Sequence, residues 1–397
     1  MRLGILAHGF IGWGGGIDFL RIVCSSLQAT GRVELHLLLP TRGPRLQIKG
    51  LIRHSVRFAS QPFAKNNSQA SVPGRPIIEE FAHSSGLAIQ VHEIDIGRRA
   101  LRSAARRLEL DALVPSIAPI KGATTPWVGY IPDFQHRYFP ELFSVAERRQ
   151  RDRRFLEIVH RARAVVVNSK AVERDIHQFL PGRRAEIFSL PFSAAPDPKW
   201  FDFEPELGRF GIRAPYFIIS NQFWVHKDHL TAFRAFALVR KALPNVDLVC
   251  TGSTSDYRNT SHFDSLMSAA RELGLVDNLK VLGMIAKKEQ IGLMRGAVAV
   301  LQPTLFEGGP GGGSVYDAVS LGVPAIVSDI PVNRELNDPA VSMFPAGDHK
   351  RLAEAMIHCL GNPVLRNVDR DSLIARGIAR RKLCGMALLD ALEQCRV

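Results

Sequence analysis

The chain has 397 residues, 46% of them hydrophobic, with 51 Lys and Arg against 38 Asp and Glu for a formal net charge of +13. That length is too great for one ordinary core and suits two α/β domains, while no stretch approaches the roughly 20 apolar residues that a membrane-spanning helix needs. The five cysteines (Cys24, Cys250, Cys359, Cys384, Cys395) are odd in number and lack both CxxC pairing and metal-ligand spacing, so they read as reduced cytosolic thiols rather than a disulfide framework.

Along the chain, apolar strands alternate with amphipathic helical stretches, the pattern of a parallel sheet covered by helices on both faces. MRLGILAHGF reads as a first buried strand, Leu3–Ala7, because its apolar run is too short for a secretory leader. Further first-half strands are predicted at Val33–Leu39, Ala88–Val91, Ala112–Val114, Trp127–Ile131, Val165–Asn168 and Glu186–Ser189. Helices fall at Ile17–Ala29, Gly97–Leu108, Val145–Arg161 and Lys170–Leu180. The interval Thr41–Gly86, rich in Gly, Pro, Asn, Ser and Arg, has no sustained period and is expected to form long loops that could carry acceptor specificity. Proline and turn residues then concentrate in Leu190–Ala214, which marks a domain boundary.

The strand-helix pattern restarts with strands at Tyr216–Ser220, Asp247–Thr251, Leu279–Leu282, Val298–Gln302, Ala325–Ser328 and Val341–Phe344. It ends in a helical tail, Ser372–Glu393, that no strand follows. The expected domains are therefore 1–195, 196–375 and a C-terminal helix, 376–397, packing back toward the first domain.

Charge is unevenly shared: residues 1–200 hold 29 Lys and Arg against 17 Asp and Glu, whereas residues 201–397 hold 22 against 21. Arg99, Arg102 and Arg106 share one helical stripe, and Arg148, Arg149, Arg151, Arg153 and Arg154 form a second cluster. Such groups can hold anionic lipid head groups or a phosphorylated acceptor; a solvated helix face is the plain alternative.

Four segments carry the chemistry. In Val300–Leu336, a buried strand feeds the glycine-dense loop FEGGPGGGS, which opens into a helix. Glycines let backbone N–H groups approach an anion, and a helix N-terminus adds partial positive charge. Ser314 is the expected N-cap. Glu307 precedes the loop and would repel phosphate unless it meets sugar hydroxyls, and Asp317 in the first turn could accept ribose hydroxyls.

The second segment, YFIISNQFWVHKDHL, runs from a strand through a polar turn to Lys227, a point charge suited to a departing diphosphate. In the third, PWVGYIPDFQHRYF, Asp133 and His136 crowd a strand C-terminus, where open α/β sheets bind ligands. The fourth, HGFIGWGGGID, joins the first strand to the first helix. A nicotinamide site would need an acidic residue at the end of the second strand, where this chain has Leu39-Pro40-Thr41-Arg42.

The segment FEGGPGGGSVYDAVSLGVPAIVSDIPVNREL closely resembles the donor-binding signature of the family-four retaining glycosyltransferases (glycosyl transferases group 1). The resemblance implies a GT-B fold: two Rossmann-like doubly wound parallel-sheet domains facing a cleft, with the C-terminal helix crossing to the first domain. It also implies transfer of a hexose-type sugar from a UDP- or GDP-sugar to a hydroxyl of a glycan or lipid-linked acceptor, in bacterial surface polysaccharide synthesis.

By that resemblance Glu307 faces the donor sugar, and the backbone of Gly308, Gly309, Gly311, Gly312, Gly313, Ser314 and Val315 holds diphosphate and sugar. The family's two glutamates have seven residues between them; here the next acid after Glu307 is Asp317, with nine between. Lys227 matches the family's lysine, but Asn221 or Gln222 stands where an arginine is usual, leaving His226 as one source of a second positive charge. Asp133 matches the family's aspartate, Pro132 occupies the usual histidine position, and His136 is displaced by four.

Gly14, Gly15 and Gly16 fall near the donor phosphates or the acceptor. Thr251 and Gly252, with Gly283, Met284 and Ile285, match the remaining donor contacts. The catalytic set expected from the resemblance is thus Asp133, His136, Lys227 and Glu307.

No metal or other cofactor is expected, since the only Asp-x-Asp, Asp369-Arg370-Asp371, lies in the helical tail, and no nucleic acid is expected as a partner. The basic first domain leaves an anionic membrane surface as an additional partner, for a cytoplasmic protein peripheral on the inner face of the membrane. Two rivals stay open: a nucleotide-sugar epimerase on the same fold, and a non-catalytic protein that binds an anionic polymer.

Overall fold

The computed structural model describes residues 1–11, 14–40, 87–95, 97–362 and 369–396. The predicted Thr41–Gly86 loops lie outside these residues. The first domain contains, in chain order, β1 (Arg2–Leu6), α1 (Gly14–Gln28), β2 (Glu34–Pro40), β3 (Ile89–Ile94), α2 (Arg98–Arg107), β4 (Ala112–Ser116), β5 (Trp127–Tyr130), the single turn α3 (Gln135–Tyr138), α4 (Val145–Arg161), β6 (Ala164–Val167), α5 (Lys170–Phe179) and β7 (Glu186–Ser189). The second contains β8 (Tyr216–Ser220), α6 (His229–Ala242), β9 (Asp247–Thr251), α7 (His262–Glu272), β10 (Leu279–Gly283), α8 (Lys287–Gly296), β11 (Val300–Gln302), α9 (Gly312–Ser320), β12 (Ala325–Ser328), β13 (Val341–Phe344) and α10 (His349–Gly361). A last helix, α11 (Arg370–Arg396), returns to the first domain.

Both sheets are parallel throughout, in the orders β3-β2-β1-β4-β5-β6-β7 and β10-β9-β8-β11-β12-β13. Parallel strands need crossover helices, so both sheet faces are covered and the strands read as nearly continuous apolar runs. The two-residue alternation of a strand divides each run between two cores. Leu35, Leu37 and Leu39 pack with α1 on one face, while Leu38 joins Trp127, Phe155 and Val165 on the other.

The C-terminal helix supplies Cys384, Leu388, Leu389, Ala391, Leu392 and Cys395 to the first-domain core. Two glycines allow that seating. A Cβ on Gly385 would lie 2.1 Å from the Ser26 carbonyl oxygen, and one on Gly377 would lie 2.7 Å from the Ala195 methyl. The helix begins six residues before the expected start of the tail domain, at Arg370, and the strand C-termini of both sheets lead into the loops that meet between the domains.

Candidate active site

The loop after β11 lies in the gap between the domains. A Cβ on Gly308 would stand 2.3 Å from the Pro132 carbonyl oxygen and 3.0 Å from the Asp133 Cβ, and one on Gly309 would stand 3.1 Å from the Asn168 Cβ. Only a residue without a side chain tolerates so close an approach. The Ser169 hydroxyl donates to the Gly308 carbonyl at 3.2 Å, and Phe306 packs against Tyr138 and Phe139. From the second domain, Glu335 accepts from the Lys170 and Ala171 amides at 2.8 and 2.7 Å, so its carboxylate caps α5 of the first domain.

Gly311, at φ 69°, starts α9, and its amide donates to Asn333 Oδ1 at 2.7 Å. The expected N-cap, Ser314, is instead the third residue of the helix. Its hydroxyl is buried and has no hydrogen-bond partner among the described residues. A buried hydroxyl of this kind at a helix N-terminus, where amides already favour an anion, is poised for a ligand oxygen. Val315 is fully buried in the second-domain core, which leaves only its amide for binding. Across the gap, Asp18 of α1 comes within 4.0 Å of the Gly313 Cβ position, bringing the helix that begins at Gly14, Gly15 and Gly16 to this loop.

Lys227 ends a short 3-10 turn before α6, and its ammonium forms an ion pair with Glu307 Oε1; both side chains are nearly buried. The same oxygen accepts from Gln302 Nε2 at 2.8 Å, and Gln302 in turn accepts from Asn221 Nδ2. Gln302 is fully buried at the end of β11. This Asn221–Gln302–Glu307 relay escaped the sequence reading, because a glutamine in a strand carries no motif; its one signal was a polar residue ending an otherwise apolar run.

His226 does not supply the second positive charge. Burial, with Lys227 and Arg258 nearby, holds its pKa well below the usual histidine value, so the ring is neutral. Its carbonyl accepts from the Leu305 amide and the Thr304 hydroxyl, tying the turn to the glycine loop.

Asp317 is buried and forms an ion pair with Lys287 of α8. Burial raises its pKa against the opposing effect of Lys287. One carboxylate oxygen is therefore engaged before any ribose arrives. Gly252, at φ 129°, packs so closely on Asn221 that a Cβ would lie 2.2 Å from the Asn221 carbonyl oxygen, and its amide donates to Gly283 at 2.8 Å. These contacts line up the ends of β8, β9 and β10 beside Thr251, which is buried and bonded to Ser220. Met284 follows with 75% exposure, Ile285 packs on the core, and the partly buried Gln222 side chain makes no hydrogen bond among the described residues.

Asp133 borders the glycine loop and accepts from the Gln135 amide at 2.9 Å and from Arg151 at 3.2 Å. His136 does not face the cleft. Its ring is fully buried among Phe134, Phe143 and Phe155, with Nε2 bonded to Asp152 Oδ1 at 2.8 Å. Burial lowers its pKa, outweighing Asp152. An amphipathic turn between two phenylalanines turns this histidine inward, which its position after a strand did not reveal.

Among the described residues no group of three or more His, Cys, Asp or Glu side chains could hold a metal ion. Asp369 instead caps α11, accepting from the Ser372 amide and hydroxyl.

The family described as Glycosyl transferases group 1 matches residues 208–377, which contain the glycine loop, Lys227, Glu307 and Asp317. A phosphatidyl-myo-inositol mannosyltransferase of Mycobacterium leprae is 35% identical over 96 residues, 23% of this chain and 25% of that protein.

The two domains together match solved structures over nearly their whole length. Sucrose-phosphate synthase from Thermosynechococcus elongatus has a TM-score of 0.64 at 13% identity, covering 99% of this chain and 98% of that one. Anabaena HepE in complex with UDP-glucose has a TM-score of 0.62 at 16% identity, covering 100% and 98%. The two parallel-sheet domains thus have the GT-B arrangement of these structures.

Proposed function

We propose that the protein is a retaining glycosyltransferase that moves a hexose-type sugar from a nucleotide diphosphate donor to a hydroxyl of a glycan or lipid-linked acceptor, without a metal. The observation that carries this reading is the start of α9, where glycine amides and the unpartnered Ser314 hydroxyl lie beside the Lys227 ammonium at the domain gap. Fixed amide dipoles and one cation favour charge building on a departing diphosphate, and such preorganised groups act mainly in the transition state.

In the proposed step the acceptor oxygen bonds to the anomeric carbon on the face from which the diphosphate leaves. The anomeric carbon–phosphate oxygen bond breaks, and the hydroxyl proton passes to the departing phosphate oxygen. No protein nucleophile is needed. Glu307, held by Lys227 and Gln302, keeps its second oxygen for sugar hydroxyls.

The mannosyltransferase likeness and the UDP-glucose bound by HepE support a nucleotide-sugar donor. An epimerase would need a pair of carboxylates free for acid-base work. Asp133, Glu307 and Asp317 are each ion-paired, with Arg151, Lys227 and Lys287. We place the protein in the cytoplasm, in bacterial surface polysaccharide synthesis, with the basic first domain against the inner membrane face; no helix among the described residues is long and apolar enough to cross a membrane.

A thermal-shift panel of UDP-, GDP- and ADP-sugars with and without EDTA tests the proposal. Stabilisation by one nucleotide class, unchanged by chelator, is expected, followed by product that forms only when an acceptor is added. Stabilisation that EDTA abolishes would overturn metal independence, and a changed sugar without any acceptor would favour the epimerase.

A further inference from the structure

The first-domain wall beyond Asp133 holds a group of cations that the donor pocket does not use. Arg148, Arg151 and Arg154 of α4 stand three residues apart and so share one stripe of the helix. Arg151 reaches Asp133 at 3.2 Å and stacks 4.8 Å over the Phe143 ring. From the second domain, Arg258 stacks over the same ring at 5.7 Å and donates to Gln135 at 3.2 Å, but Asp256 already neutralises it. Asp152, likewise, is taken by His136 and Arg137.

Among the described residues Asp133 is therefore the only carboxylate in an ion pair with any of the three arginines. Arg148 and Arg154 have none. The Nε atoms of both are buried and lack a hydrogen-bond partner. Burial and the neighbouring Arg151 lower the Arg154 pKa, with Asp133 opposing them.

Withdrawing an arginine Nε–H from water without an acceptor is costly, so its persistence at two half-buried arginines needs an explanation. Guanidinium groups pair with phosphate through two parallel hydrogen bonds, a geometry that a point-charge lysine lacks. Asp133 touches the Gly308 position, so an anion held by Arg151 and Arg154 would lie across Asp133 from the diphosphate pocket, on the acceptor side.

We infer that Arg148, Arg151 and Arg154 form a phosphate subsite and that the acceptor carries a phosphate ester close to the hydroxyl that receives the sugar. This rests on the transferase reading above, since it assigns the acceptor of that reaction. The phosphate can belong to a soluble sugar phosphate or to a lipid-linked one, and the chemistry of recognition is the same.

The test uses the full chain with UDP, GDP or ADP in excess to fill the donor pocket. Binding of phenyl phosphate, and of farnesyl phosphate in neutral detergent, is measured by calorimetry, with phenol and farnesol as uncharged controls. Wild type should bind the phosphates and not the alcohols, and a preference for farnesyl over phenyl phosphate would identify a lipid source.

Arg154→Met and Arg148→Gln should each weaken phosphate binding about tenfold or more, the scale of a lost charge-assisted bond, and leave nucleotide binding unchanged. Without phosphate, Arg154→Met should melt at or above the wild-type temperature, because it removes a donor buried without an acceptor and keeps an apolar stem over Phe155. A purely structural arginine would give a lower melting temperature. If Arg154→Met does not fold, the structural role stands for Arg154, and Arg148→Gln decides the subsite.

Phosphates that bind no better than the alcohols, or equally to wild type and Arg148→Gln, would overturn the subsite while nucleotide binding keeps the transferase reading. Failure of wild type to bind any nucleotide would instead remove that reading and the subsite with it.

Discussion

Gly308 offers a clean perturbation of the closed arrangement. Its backbone does not occupy the left-handed region, so alanine there meets no conformational penalty of its own. The added methyl, however, would lie 2.3 Å from the Pro132 carbonyl oxygen and 3.0 Å from the Asp133 Cβ, both across the domain gap. Relief needs a displacement of about 1 Å, and overpacking of this kind costs about 1–3 kcal/mol. Because the clash exists only where the domains meet, that cost falls on closure and not on either core. The closed population should drop by about 5- to 150-fold relative to the open one.

Small-angle scattering of Gly308→Ala should show a larger radius of gyration, turnover should fall by a similar factor, and the melting temperature should stay close to wild type. Wild-type scattering together with wild-type turnover in Gly308→Ala would refute the claim that the glycine loop sets the domain contact.

Three further outcomes follow from the site. Lys227→Ala and Glu307→Ala should each reduce turnover by about 10²-fold or more, and Lys227→Ala should also lose about 3–5 kcal/mol of stability in urea titration because Glu307 stays buried without its cation; unchanged stability would mean the pair is solvated. Gln302→Leu should cost about 1–3 kcal/mol and reduce turnover, with part of the stability returning in Asn221→Leu/Gln302→Leu, where no unsatisfied donor is left; additive losses in the double variant would break the relay. His229 is stacked on Phe223 with both ring nitrogens unpartnered, and burial pulls its pKa down to about 3. Its unfolded value is about 6.5, so the stability of the neutral ring is complete above pH 6.5 and falls by about 1.4 kcal/mol per unit below it; chemical denaturation of His229→Phe across that range should show a shallower acid limb, and an unchanged slope would exclude this source.

The two parallel sheets were legible because their central strands are apolar runs bounded by turn residues, while the edge strands β3 and β7 mix polar and apolar residues. Ala164–Val167 and Ala325–Ser328 differ from their predicted spans by no more than one residue. Lys227, Glu307 and the glycines could be read as a site because their chemistry shows in residue type and local spacing. What could not be read were contacts between residues far apart in the chain. Glu335 caps a helix that begins 165 residues earlier, and Gln302 owes its role to a lysine and an asparagine on another strand's loop. Ser314 had the right residue type for a cap, but the left-handed backbone at Gly311 started the helix earlier and buried the hydroxyl. His136 failed for the opposite reason: two aromatic neighbours with their own packing demands overrode its polar company.

The C-terminal helix sets an order of events during synthesis. Most of the residues that line the first sheet leave the ribosome early, yet Leu388, Leu389, Leu392 and Cys395, which close that core against α1, emerge only after the whole second domain. The later-made half, whose core draws on residues 217–359, can consolidate first, while the earlier-made half waits with an apolar face uncovered. A fragment of residues 1–195 produced alone would keep that face exposed and aggregate, and supplying residues 370–396 as a separate peptide should restore its solubility.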